Sequence, residues 1–76
     1  MNDERIEINP KVMMGKPVIR GTRIPVHVIL NLLAEGYTAD KVIEEYPDIM
    51  TEDIRAALRY ASGVTHFEEF EHAATR

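Results

Sequence analysis

The chain has 76 residues, a formal net charge of −4 and no cysteine. A chain of this length forms one small domain of marginal stability, because short chains bury a small share of their surface. The lack of cysteine excludes disulfide bonds and thiolate metal sites as a source of extra stability. The first residues show no signal-peptide pattern, and no apolar run approaches the ~20 residues needed to cross a bilayer. We therefore expect a cytoplasmic protein without a membrane segment.

The charge is unevenly distributed along the chain. Residues 1–34 carry five Lys or Arg against three Asp or Glu, and residues 35–76 carry four against ten. No acidic residue lies between Glu7 and Glu35, an interval that holds Lys11, Lys16, Arg20 and Arg23. A nucleic-acid binder is usually basic overall, so any such contact must be concentrated in this interval. An acidic protein surface is the other partner that the interval would suit.

Two short strands are the first elements predicted. Arg5–Ile8 alternates polar and apolar residues before a turn at Asn9-Pro10, and Val18-Ile19 is a second candidate strand. Glycines and prolines interrupt the chain around the second strand, so we expect a short N-terminal β arm or hairpin. Two such strands are unstable alone. They must pack on the helices or pair with the same strands of another copy.

The first predicted helix runs from about Pro25 to Glu35. Proline suits the first turn of a helix, and Gly36 suits a left-handed residue that ends it. The apolar residues of this helix cover more than one stripe, so the helix must be nearly surrounded. Two other helices can cover only one side, and we expect the side with Val28 and Leu32 to meet a second subunit or a partner.

Two further helices are predicted between Thr38 and Gly63. Thr38 is placed to N-cap a helix that stops at Pro47, and Thr51 to N-cap a helix that ends at Gly63. Apolar residues recur at helical spacing in both segments. The expected fold is mainly α, a three-helix bundle with the β arm or hairpin at its N-terminus, over residues 1–63.

Residues 64–76 form an amphipathic C-terminal tail. Val64, Phe67 and Phe70 recur at every third position among glutamates. This pattern predicts an amphipathic helix if the tail folds. Phe67 and Phe70 then either pack back on the small core or dock in the groove of a partner protein. Both interpretations remain open.

The second and third helices, with a five-residue turn between them, resemble a helix-turn-helix, in which the second helix of the pair enters the major groove. Arg55 and Arg59 share one face of that helix and are candidates for DNA backbone contact. Glu52 and Asp53 at its start suit the helix dipole but repel phosphate. A three-helix core with a solvated charged face, in which Glu52 pairs with Arg55, explains the pattern equally well.

The interval without acidic residues contains a stronger candidate for binding anions. Arg20 and Arg23 flank Gly21-Thr22, so two guanidinium groups, the Thr22 hydroxyl and backbone N–H groups could converge on a phosphate or carboxylate. A purely structural interpretation is that Gly21 relieves a tight turn, Thr22 helps to cap the helix entrance and the arginines pair with acidic helices.

Catalytic and metal-binding patterns are weak. Glu69 and His72 have a spacing that metal sites in helical bundles use, and His66 lies nearby, but the first three helices supply no matching ligands. No cysteine nucleophile and no paired carboxylates in an apolar setting are evident. We expect a protein that is not an enzyme and has no cofactor and no metal.

The run Gly15-Lys-Pro-Val-Ile-Arg-Gly-Thr-Arg-Ile-Pro-Val26 resembles the signature of the domain of unknown function 433 family. The similarity continues through Tyr46-Pro47 and Ala57-Leu58 and covers about residues 6–63. It implies a homeodomain-like, helix-turn-helix fold and the antitoxin role in a type II toxin–antitoxin pair, beside a toxin with a PIN-like nuclease fold. The signature falls here on Lys16, Arg20, Gly21, Thr22 and Arg23, and the tail would correspond to a toxin-binding segment.

Three hypotheses follow. The first is a dimeric antitoxin that binds operator DNA through Lys11, Lys16, Arg20, Thr22, Arg23, Arg55 and Arg59, and binds partners through Val28, Leu32, Phe67 and Phe70. The second is a nuclease inhibitor without DNA contact, in which an arginine pairs with the carboxylates of the toxin's metal site. The third is a homo-oligomeric structural module whose arm is an assembly element.

Overall fold

The N-terminal part of the chain forms a small antiparallel sheet. The computed structural model describes residues 4–74, and the side chains of residues 4–66. Strand β1 (Ile6–Glu7) pairs with β2 (Val18–Ile19), with Ile6 opposite Ile19. A tight 3₁₀ turn at Met13–Gly15 connects the two strands. All three residues of the turn have left-handed backbones, with φ of 51°, 57° and 84°.

Strand β2 is also paired on its other side. The Ile19 N–H donates to the Ile24 carbonyl at 3.0 Å, and the Val26 N–H donates to the Pro17 carbonyl at 2.9 Å. Residues 17–26 therefore form a hairpin, closed by the loop from Arg20 to Arg23. Because both edges of β2 are occupied within the chain, β2 cannot pair with the same strand of a second copy. The prediction of a short N-terminal β arm or hairpin is confirmed by the antiparallel pairing of β1 with β2.

Helix α1 (Val26–Ala34) follows the hairpin directly. Pro25 holds the N-cap position, one residue earlier than expected, and Gly36 has the predicted left-handed backbone, with φ of 100°. Val26 and Ile29 are buried, while Val28 and the three leucines are half-buried. The apolar surface of α1 is thus wider than the rest of the described chain covers.

Helix α2 (Ala39–Glu45) begins as predicted, since the Thr38 hydroxyl accepts a hydrogen bond from the Lys41 N–H at 3.2 Å. A five-residue turn follows, residues 46–50, and buries Ile49. Helix α3 (Thr51–Ala74) then completes the chain order of a helix-turn-helix. The prediction that Thr51 is the N-cap is wrong by one residue, because the Met50 carbonyl accepts the first hydrogen bonds of α3.

The predicted end of the third helix at Gly63 is also wrong, because α3 continues without a break to Ala74. Glycine inside a helix costs only about 1 kcal/mol relative to alanine. No proline follows Gly63, so nothing in the local sequence forces the helix to stop. The boundary placed between residues 63 and 64 therefore lies within one element.

The hydrophobic core lies between the hairpin and the three helices. Its largest fully buried side chains are Val18, Ile19, Ile29, Val42 and Ile49, which come from β2, α1, α2 and the turn before α3. Ala56 and Ala57 are fully buried on α3 and let that helix approach its neighbours closely. The fold is thus mainly α, with three helices and a two-stranded hairpin, as predicted. None of the described helices is both long and apolar enough to cross a membrane.

Candidate functional site

The start of α3 is built around a buried carboxylate. Asp53 is 6% exposed, and its Oδ1 accepts a hydrogen bond from Arg5 Nη1 at 3.0 Å. Its Oδ2 accepts a hydrogen bond from the Met50 N–H at 2.9 Å. Met50 is the N-cap residue of α3, so this bond gives a partner to the backbone N–H of the N-cap. The two acidic residues at this end were both expected to repel phosphate. Because Asp53 is buried and paired with Arg5, Glu52 is the exposed acidic residue of the two at this end.

The exposed face of α3 carries two cations. Arg55 and Arg59 are both exposed and lie one helical turn apart, which places them on the same side of the helix. Glu52 and Leu58 are exposed nearby, and Ser62 continues this face. No ion pair between Glu52 and Arg55 is present among the described side chains. With Asp53 withdrawn, this face has more positive than negative charge.

Three residues of the loop from Arg20 to Arg23 were predicted to bind an anion. Two of them, Arg20 and Thr22, instead form hydrogen bonds within the chain. The Arg20 guanidinium donates from Nε to the Glu4 carbonyl and from Nη2 to the Ile6 carbonyl at 3.5 Å, so it lies across β1. The Thr22 hydroxyl donates to the Ile19 carbonyl at 2.7 Å and accepts from the Ile24 N–H at 3.0 Å. Gly21 has φ of 84°, as a tight turn requires. These contacts agree with the structural interpretation of Gly21. The rest of that interpretation is wrong, because Thr22 closes the loop without capping α1, whose N-cap has no side-chain hydrogen bond, and Arg20 bonds to backbone carbonyls and not to an acidic helix.

Arg23 differs from Arg20. It is exposed at the loop of the hairpin, and within residues 4–66 its side chain makes no hydrogen bond or ion pair. It is therefore the residue of this loop whose guanidinium can reach an external anion without breaking a contact of the fold.

The basic residues before α1 lie at two ends of the hairpin. Lys11 and Lys16 are exposed in the connection that leads into β2, whereas Arg20 and Arg23 follow β2. At ~3.3 Å per extended residue, the Cα atoms of Lys16 and Arg20 are about 13 Å apart. The interval without acidic residues is thus not a single cationic patch.

An apolar groove opens beside Lys16. It has a volume of about 280 Å³ and lies between α1, the middle of α3 and the segment that leads into β2. The side chains around it come from Lys16, Pro17, Val26, His27, Leu30, Tyr60, Ala61, Val64 and Thr65.

The residues predicted to bind partners fall in two places. Val28 and Leu32 are half-buried on α1, and Leu32 packs partly against the core. Phe67 and Phe70 lie outside the residues whose side chains the structure describes, as do Glu69 and His72 of the weak metal pattern. Among the described residues, no three His, Asp or Glu side chains cluster closely enough to hold a metal ion.

Residues 6–61 match the family model described as "Protein of unknown function (DUF433)". The chain belongs to the DUF433 family. A DUF433 member from Anabaena variabilis has a crystal structure that superposes with a TM-score of 0.76 at 32% identity, over 91% of this chain and 68% of that one. The three-helix fold is thus shared with another DUF433 protein.

Two relatives of this DUF433 chain are uncharacterized proteins. One, from Sinorhizobium fredii, is 36% identical over 58 residues, which are 76% of this chain and 26% of the relative. The other, from Archaeoglobus fulgidus, is 70% identical over 23 residues, which are 30% of this chain and 64% of the relative. The chain therefore spans about a quarter of the first relative and less than two thirds of the second.

Sequence reasoning missed the pair formed by Arg5 and Asp53. Asp53 did carry a local signal, because an acidic residue at the third helical position commonly accepts a hydrogen bond from the N-cap. Arg5 carried none, since it lies 48 residues away in the chain and only the folded sheet brings it to α3.

Proposed function

We propose that this DUF433 chain is the antitoxin of a type II toxin–antitoxin pair, which binds operator DNA through α3 and a PIN-like nuclease toxin through a separate surface. The observation that carries the proposal is the α2–turn–α3 arrangement, whose exposed face presents Arg55 and Arg59. Arg5 removes the repulsive charge of Asp53 from the same helix end. The family resemblance supplies the antitoxin part of the proposal.

The net negative charge of the chain requires that any DNA contact be confined to a locally cationic surface. At a net charge of −4 the protein is repelled by DNA at long range, so binding must come from a local cationic surface. Arg55 and Arg59 are spaced to contact successive phosphates or one groove edge, as the second helix of a helix-turn-helix does. Arg23 and Lys16 would add contacts at the hairpin ends.

DNA binding is tested with the promoter region of the chain's own operon as a labelled duplex, by fluorescence anisotropy over a range of salt concentrations. Replacing Arg55 and Arg59 together by alanine is expected to weaken binding at every salt concentration. The slope of log affinity against log salt should become shallower by about 1 for each phosphate that the variant no longer neutralises.

Lys41→Ala is the matched control, because Lys41 is an exposed cation on α2 that pairs with Glu44 at 3.6 Å and lies off the α3 face. The affinity of the Lys41→Ala variant for the duplex, and the slope of its log affinity against log salt, should equal those of the parent. The DNA assignment is wrong if the parent does not bind the duplex, or if the double variant and the control behave alike.

A nuclease inhibitor without DNA contact is the second candidate, and the exposure of Arg23 favours it. An arginine at the end of a hairpin can enter a cleft lined by carboxylates and pair with them in a bidentate geometry. Arg20 is unsuited to this role, because its guanidinium is bound to the carbonyls of Glu4 and Ile6.

This candidate is tested with the nuclease encoded beside the gene. Arg23→Ala should release nuclease activity that the parent suppresses, while Lys41→Ala should not. Unfolding midpoints of both variants should match the parent, since neither side chain holds the core. Equal inhibition by the parent and Arg23→Ala would reject the role of Arg23.

A further inference from the structure

The first turn of α3 presents one acidic side chain to the outside. Of the two acidic residues there, Asp53 is buried against Arg5, whereas Glu52 is exposed. Arg55 is exposed one turn further along the helix. Residues three apart on a helix commonly form an ion pair, yet no such pair joins Glu52 and Arg55 among the described side chains. Both side chains therefore keep their hydrogen-bonding groups for an external ligand.

These two residues lie where the second helix of a helix-turn-helix meets base edges. In that motif, the N-terminal residues of the second helix enter the major groove and contact the bases. Glu52 and Arg55 are in the first and second turns of α3. At about 1.5 Å and 100° per residue, they are about 4.5 Å apart along the helix axis and about 60° apart around it. Since base pairs are stacked every ~3.4 Å, the two side chains reach neighbouring base pairs.

The donors and acceptors of the major groove determine which bases suit these side chains. Cytosine presents its N4 amino group, which donates to a carboxylate, and guanine presents the acceptors O6 and N7, to which a guanidinium donates in a bidentate geometry. A carboxylate is repelled by these guanine acceptors and by the O4 of thymine. Adenine places its N6 donor beside the acceptor N7, which suits an amide better than a carboxylate. Glu52 therefore suits cytosine, and Arg55 suits guanine.

We propose that Glu52 and Arg55 read two neighbouring C·G base pairs of the operator, with Glu52 accepting a hydrogen bond from cytosine N4 and Arg55 donating to guanine O6 and N7. The inference rests on the proposed binding of DNA by α3, and it adds the bases that the helix selects. An exposed carboxylate weakens the attraction to every duplex. At this position it also disfavours the wrong bases, and specificity depends on such differences in affinity.

The test compares affinities among duplexes, which separates base reading from the overall attraction to DNA. A library of duplexes, built on the promoter region of the chain's own operon and randomised across the bound site, is selected with the full chain and sequenced. The parent should prefer two adjacent C·G pairs, each by about tenfold over the other base pairs. Arg55→Ala should lose the preference at one position and keep it at the neighbouring one, and Glu52→Ala should do the reverse.

Glu52→Gln is the decisive variant, because it exchanges the carboxylate for an amide of the same shape. A glutamine side chain bonds to adenine N6 and N7 in a bidentate geometry, so the preferred base at this position should change from cytosine to adenine. Glu45→Gln is the matched control. Glu45 is an exposed glutamate of α2, so its replacement removes the same charge and should leave the base preference unchanged.

Three results would overturn the inference. The parent binds the promoter duplex but selects no adjacent C·G pairs, or Glu52→Gln keeps the parent's preferred base, or Glu52→Ala tightens binding to every duplex equally without a change of preference. The last result would make Glu52 a repulsive charge only. In all three cases the parent still binds DNA, so the proposed DNA binding would stand. A parent that binds no duplex would reject both.

Discussion

Asp53 shows how a single residue joins three parts of the chain. One carboxylate oxygen is bonded to Arg5 beside β1, and the other is bonded to the backbone of the turn before α3. The carboxylate thus caps the helix and ties it to the sheet. The role of Asp53 is therefore structural, and its charge is unavailable for repelling or attracting a ligand.

Asp53→Ala is expected to lower the free energy of unfolding by about 2 kcal/mol. About half of that comes from removal of the cap, and the rest from removal of the ion pair, discounted because the Arg5 side chain is 39% exposed. Urea denaturation followed by circular dichroism measures the change. Glu52→Ala serves as the control, because Glu52 is exposed and surface changes usually stay within ~0.5 kcal/mol. Equal stability of the two variants would contradict the buried contact.

Arg20 and Arg23 look alike in sequence and differ in the structure. Both flank the same loop, and the local pattern gives them the same predicted role. The sheet distinguishes them, because pairing of β1 with β2 places the carbonyls of Glu4 and Ile6 beside Arg20. No local rule predicts this contact, which depends on the register of two strands that are far apart in the chain.

The ends of the helices are the element-scale features that local chemistry predicts best. Thr38 before α2, Gly36 after α1 and Pro25 at the entrance of α1 all have the expected roles to within one residue. Each of these depends on one residue and its immediate neighbours. The end of α3 was different, because glycine permits a helix end without requiring one.

Thr38→Ala should destabilise the protein by about 1 kcal/mol, and Thr51→Ala should cost clearly less. The Thr38 hydroxyl accepts a hydrogen bond at the start of α2, whereas the Thr51 hydroxyl has no such bond among the described residues, and Thr51 is the first helical residue of α3. Thermal and urea unfolding of both variants give the comparison. If Thr51→Ala were the more harmful change, the N-cap of α3 would be Thr51 after all.

At the scale of the whole molecule, the strands, α1 and α2 are all too short to be stable alone. The strands have two residues each, and α2 has seven, well below the ~12 residues at which an isolated helix becomes marginally stable. Their apolar sides meet in one core, which includes β1, β2 and all three helices. Burial of the hairpin in this core fixes Arg20 and leaves Arg23 exposed.

The core also explains why α3 differs from the other helices. Its core residues run from Ile54 to Tyr60, whereas the helix itself continues to Ala74. The half of α3 after Tyr60 thus extends beyond the core that the described residues form.

The sequence by itself determined the helix entrances, the hairpin, the mainly α fold and the family, because caps, turns and short-range periodicity act over a few residues. The tertiary structure decided which charged side chains are available to an external ligand. It paired Asp53 with Arg5, held Arg20 against β1, left Arg23 exposed and separated the lysines from the arginines along the hairpin. These outcomes depend on contacts between distant residues, which form only when the whole core assembles.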